Sequence, residues 1–158
     1  MLEKVYRIRE NNILHIHGDI SGDNYPPAVG HGNEEIIYEL CEKARMSREK
    51  YLEKEVSIIN ALANYHKNTL KDIDYFINEN SYFFEKIANV NKVFIMGISF
   101  GKVDMPYLEE IKNSISNDTI WEIYYYKEDE EEFFRDSIIS IGIPSENIIV
   151  KHTSELYE

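Results

Sequence analysis

The feature that most constrains the fold is the stretch 93–107, VFIMGISFGKVDMPY. Val93, Phe94, Ile95 and Met96 make a short apolar run with β-branched and aromatic residues, the pattern of a strand buried on both faces. It breaks at Gly97, and Ser99 and Gly101 keep the next turn small. A helix is expected from Asp104 to about Ser116, with Pro106 in its first turn and Tyr107, Leu108, Ile111 and Ile115 at helical spacing. Strand, glycine turn and helix are half of a βαβ unit, and the pattern repeats. An aromatic strand, IWEIYYY at 120–126, leads to a helix from about Glu128 to Ser140, which Gly142 and Pro144 stop. Ile148, Ile149 and Val150 then read as a closing strand. Strands alternating with helices imply an α/β fold with a mainly parallel sheet and right-handed crossovers. Ligands of such sheets sit at the carboxyl ends of the strands, which is where the turn after Met96 lies.

The first half reads differently. KVYRIR at 4–9 and ILHIH at 13–17 alternate, with Glu10, Asn11 and Asn12 between them, so a β-hairpin is expected at the start, its second strand running into Gly18. The text from Asp19 to Asn33 is loop, and a loop that long is usually functional or disordered. A helical segment follows over about 34–88. Ile36, Ile37, Leu40 and Ala44 form one apolar stripe. A second helix over about 48–70 has Ile58, Ile59, Leu62 and Tyr65 as its buried candidates. A third runs towards Ile87, with Asn78, Asn80 and Ser81 marking a kink. No fixed-period repeat or low-complexity linker interrupts the 158 residues, which are read as a single α/β domain.

Charge and cysteine usage narrow the function classes. A formal net charge of −12 argues against gripping nucleic-acid backbones, which needs clustered Lys and Arg. It leaves room for one small nucleotide bound through backbone N–H groups. No apolar run approaches the roughly 20 residues that span a bilayer, so no membrane partner is expected and a cytoplasmic protein is the default. Cys41 is the single cysteine and is read as a structural, partly buried thiol. Twelve tyrosines exceed what packing needs, which favours a homo-oligomer or another protein partner.

Several residues can carry chemistry. His17, beside Gly18 at the expected strand end, is placed to take a proton near neutral pH, or simply to cap a turn. His31, Gly32 and Asn33, with Gly30 just before them, can let backbone approach a phosphate or ribose, or merely turn the chain. His15, His17 and His31 supply enough imidazoles for zinc, but no fourth ligand is marked and no metal is expected. Gly97, Ser99, Gly101 and Asp104 make a compact polar turn. Ser99 Oγ and the N–H groups can hold a phosphate or ribose, and Asp104 can accept from ribose hydroxyls or cap the helix. The spacing is neither the dinucleotide fingerprint nor a Walker loop. GISFG has the outline of a GxSxG nucleophile elbow centred on Ser99, with His152 downstream, so a hydrolase is a further alternative. The acids at 128–132 suit a helix start.

Three blocks in order, Ile16-His17-Gly18, Gly30-His31-Gly32-Asn33 and VFIMGISFGKVDMPYLEEI with Trp121 and the aromatic strand behind it, resemble the AbiH family of bacterial abortive-infection, phage-resistance proteins. The resemblance covers nearly the whole chain but only the carboxyl-terminal part of the family pattern. A strand with a GNGFD-like turn, a long helical insertion and an Asn-Tyr strand are missing, so a carboxyl-terminal portion is expected. Ile98 stands where the family often has His. The family layout is in turn similar to Sir2-like, Rossmann-like proteins that surround NAD. That implies His17 as the base acting on the nicotinamide ribose, with Ser99 and Asp104 facing the adenosine side. Gly18, His31, Gly32, Asn33, Gly97 and Gly101 complete the implied cofactor-binding set. The function implied is phage defence through binding, and in the complete protein hydrolysing, NAD or another nucleotide. The alternative is a non-catalytic sensing or interaction module that meets another defence subunit or a phage protein.

Overall fold

The structure, a computed structural model, describes residues 7, 9, 12–18 and 30–157. The chain divides into two compact units, Met1–Phe76 and Ile77–Glu158.

The first unit is built on two helices, α1 at Glu35–Glu49 and α2 at Glu53–Asn68. Ala44 and Ser47 of α1 and Ile59 and Ala63 of α2 are buried. The link between the helices is tight because Tyr51 takes the left-handed conformation, φ 58°. Leu52 N–H then donates to Ser47 C=O at 3.0 Å and Tyr51 N–H to Arg48 C=O at 3.0 Å, satisfying carbonyls that the end of α1 would leave bare. Of the buried candidates on α2 only Ile59 is buried; Ile58, Leu62 and Tyr65 are 63 %, 46 % and 62 % exposed. The inner face follows Ile59 and Ala63, four residues apart, and Ile58 and Leu62 lie beside that line. Cys41 is exposed rather than partly buried.

The first arm of the expected hairpin, 4–9, lies outside the described residues except for Arg7 and Arg9. The second arm, 13–17, is not a strand. Arg7 has φ 54° and Gly18 φ 87°, values foreign to extended chain, and Gly18 N–H closes a turn on His15 C=O at 2.8 Å. Residues 19–29 of the long loop also lie outside the described set.

A short helix, α3 at Ile73–Glu79, spans the division between the units, and α4 at Ser81–Lys86 follows. They break at Asn80, where the kink is expected. The second unit then delivers the expected alternation: β1 at Lys92–Met96, α5 at Met105–Ser114, β2 at Ile120–Tyr125, α6 at Glu131–Ser140 and β3 at Ile148–His152. The three strands form one parallel sheet in the order β1-β2-β3. The fold is therefore mixed α/β with a small open parallel sheet. Ile95, Trp121, Ile123 and Ile148 on one face pack with Leu108 of α5 and with Phe134 and Ile138 of α6 to make the core. Ile123 and Ile138 have no exposed surface at all. Among the described residues no helix is long and apolar enough to cross a membrane.

Candidate functional site

The corner between β1 and α5 gathers four of the residues singled out in the sequence. Gly97 turns the chain off β1 with φ 69°, a conformation that suits glycine. Phe100 is also left-handed, φ 54°, and its ring, 5 % exposed, packs on Phe134 with centroids 4.8 Å apart. Burial of that ring holds the turn in shape.

Ser99 and Asp104 face each other across it. Ser99 Oγ–H donates to Asp104 Oδ2 at 2.8 Å, and Gly101 N–H points at the same oxygen at 3.3 Å. Asp104 is the residue before α5, yet its carboxylate makes no cap bond to the helix and reaches back into the turn. The first N–H groups of α5 are already used. Met105 N–H donates to Gly101 C=O at 3.2 Å, Tyr107 N–H to Asp104 C=O at 3.2 Å, and Pro106 has none. The usual phosphate site at a helix start is thus occupied by the protein's own backbone and fronted by a carboxylate. Burial, and then the Asp104 charge, push the Tyr107 phenol up to about 12.

His31, Gly32 and Asn33 come together in the first unit, where they form a clasp. His31 N–H donates to Thr69 C=O at 3.0 Å, and Lys71 N–H donates to His31 C=O at 2.8 Å. The His31 ring meets His66 of α2, with Nε2 3.0 Å from His66 Nδ1. Asn33 N–H donates to His31 Nδ1 at 3.1 Å, and Asn33 Oδ1 accepts from Ile36 N–H at 3.4 Å in the first turn of α1. Gly30 is dictated by contact, since a Cβ there would lie 2.1 Å from Thr69 O.

His17 sits at a turn, half-buried, with its ring edge-on to Phe76 at 4.9 Å and its Nδ1 away from solvent. Gly18 follows it in the left-handed region. The structure thus places His17, Gly18, His31, Gly32 and Asn33 in the first unit and Gly97, Ser99, Gly101 and Asp104 in the second.

The hydrolase constellation is not assembled. Ser99 donates to Asp104, and the strained residue of the turn is Phe100, whereas a nucleophile elbow puts its serine on the strained turn. His152 is occupied elsewhere, with Nε2 2.9 Å from Tyr126 C=O and Nδ1 2.8 Å from Ser154 Oγ. Among the described residues no three His, Cys, Asp or Glu side chains are grouped to hold a metal.

Two further features lie outside the residues singled out in the sequence. One is His66, which nothing distinguishes from an ordinary helix residue until His31 lies beside it. The other is Glu122, 3 % exposed in the middle of the central strand. Lys92 of β1 meets Glu122 Oε2 at 2.5 Å, Lys151 of β3 meets Oε1 at 3.1 Å, and Tyr124 O–H donates to Oε1. Bonds from Lys92 and Tyr124, against the cost of burial, hold the Glu122 carboxyl down to about 2. A lone acid inside the run IWEIYYY was the signal that could have exposed it.

Residues 1–125 match the family model described as "Bacteriophage abortive infection AbiH". No curated protein and no solved structure matches the chain.

Proposed function

The chain belongs to the AbiH family of bacteriophage abortive infection proteins, and from that premise we propose that it serves phage defence by binding a nucleotide, NAD or a relative of it, at the corner between β1 and α5. The observation that carries this reading is the Asp104 carboxylate, pinned by Ser99 Oγ and Gly101 N–H at the carboxyl end of a parallel strand. The reading takes the three parallel strands as part of a Rossmann-like, Sir2-like sheet.

The chemistry of the corner selects which part of the nucleotide it meets. A carboxylate repels phosphate and accepts from vicinal hydroxyls, so the ribose faces Asp104. Titration calorimetry of the chain with NAD, adenosine and pyrophosphate tests this. Binding of NAD and adenosine that weakens at least tenfold in Asp104→Ala is expected. Pyrophosphate binding as well as NAD, or NAD binding unchanged by Asp104→Ala, would sink it.

Cleavage of the nicotinamide–ribose bond is a separate step of the proposal, assigned to His17 as base through the family's similarity to Sir2-like proteins. Chromatography of NAD incubated with the chain, and with its His17→Ala variant, reads it directly. Turnover that survives the substitution removes His17 from the mechanism.

The exposed apolar line Ile58, Leu62 and Tyr65 on α2 favours a second reading, a non-catalytic interaction module. Light scattering over a dilution series separates the two. A monomer at every concentration that still binds NAD counts against the module.

A further inference from the structure

His31 and His66 hold a proton arrangement that permits no addition. Asn33 N–H can only donate, so His31 Nδ1, 3.1 Å away, carries a bare lone pair. The proton of neutral His31 therefore sits on Nε2 and is donated to His66 Nδ1 at 3.0 Å. His66 in turn carries its own proton on Nε2. Two protons fit this chain of donors in one way only. A third on His31 Nδ1 would face Asn33 N–H, and a third on His66 Nδ1 would face His31 Nε2–H. The same count argues against half a metal site. A metal on His31 Nε2 would move the ring proton to Nδ1, again against Asn33 N–H.

We propose that the His31–His66 pair is a pH-sensitive clasp. With both rings neutral it ties residues 30–33 to the end of α2, and with a third proton bound it lets go. Imidazole is the side chain whose ordinary titration falls between pH 5 and 8. The backbone bonds at Thr69 and Lys71 run through the same His31, so ring and backbone open together. Tyr65 packs its ring edge-on to His66 at 5.5 Å. Lys67 and Lys71 on the α2 side, and Glu34 and Glu35 on the α1 side, are the nearest charged residues along the two joined segments. The proposal is independent of the nucleotide reading.

Nitrogen-15 magnetic resonance of the whole chain tests it. At pH 8 a scalar coupling between His31 Nε2 and His66 Nδ1 is expected. At pH 5 that coupling disappears, and amide exchange at His31, Asn33 and Lys71, corrected for its intrinsic pH dependence, accelerates at least tenfold. Amides of β2 keep their protection. The double variant His31→Gln with His66→Gln retains a donor and an acceptor at each position but cannot titrate, and its exchange should not respond to pH. A coupling that persists at pH 5, acceleration that extends to β2, or zinc binding to both rings overturns the proposal in the unaltered chain, whether or not the variant folds. So does a double variant that still responds.

Discussion

The corners at Gly30 and at Gly97 carry similar text, small residues around one or two polar side chains, and the structure uses them in opposite ways. At Gly30 the backbone is pressed against the Thr69 carbonyl, and the His31 backbone, both His31 ring nitrogens, Asn33 N–H and Asn33 Oδ1 all bond within the same unit. Among the described residues, a Cβ at Gly97 would meet nothing within 4 Å, and one at Gly101 would touch Ser99 Oγ at 3.4 Å and Asp104 Oδ2 at 4.0 Å. One corner is closed by its own neighbours, and the other leaves room. A glycine-rich motif therefore states that the backbone needs freedom without saying whether a ligand or the protein itself will take the space.

The largest test of that contrast is Gly30→Ala. The added carbon cannot fit 2.1 Å from a backbone oxygen, so the clasp must part, at a cost of about 3 kcal/mol or more by urea unfolding. A loss below ~1 kcal/mol would show that the approach to Thr69 is loose.

Next comes the sheet behind the open corner. Glu122→Gln leaves Lys92 and Lys151 without their shared carboxylate, and a loss of about 2–3 kcal/mol is expected, discounted because both ammoniums are about a third exposed. The Glu122 carboxyl is held at about 2 against an ordinary 4.5, so its contribution is full above pH 4.5 and fades as pH falls towards 2. Stability measured from pH 6 to pH 2 should decline less steeply in Glu122→Gln.

Gly97→Ala isolates strain from contact. No described residue blocks the methyl group, but φ 69° disfavours it, and about 1–2 kcal/mol should be lost. Gly101→Ala is the mildest change, within about 0.5 kcal/mol of neutral by thermal unfolding. If that variant keeps its stability yet loses NAD binding, the open corner is a ligand site; if it keeps both, the ligand sits elsewhere.

Much of the second unit was legible because each element announces itself locally. Val93 to Met96 is apolar and β-branched, Pro106 opens a helix, and Gly142 with Pro144 closes one, although the expected burial of that strand on both faces fails: Ile95 is buried while Phe94 and Met96 are 54 % and 56 % exposed. The Ser99–Asp104 turn was legible for the same reason, since its partners lie five residues apart. What escaped depends on distance along the chain. His31 and His66 are 35 residues apart, and the partners of Glu122 sit on two other strands. Local text also misled. ILHIH alternates as a strand should, yet residues 13–17 form no strand and Gly18, directly after them, is left-handed. Ile58, Leu62 and Tyr65 are apolar at helical spacing, yet α2 buries the line beside them. Apolar spacing marks a stripe, and only the partner helix decides which stripe is covered.

The buried carboxylate of β2 has one more consequence. Successive side chains on a strand point to opposite faces, so shifting β1 or β3 by a single residue would carry Lys92 or Lys151 to the far side of the sheet and leave buried Glu122 one ammonium short. Each outer strand is therefore proofread by one ammonium, and its register is set by charge as well as by the apolar face.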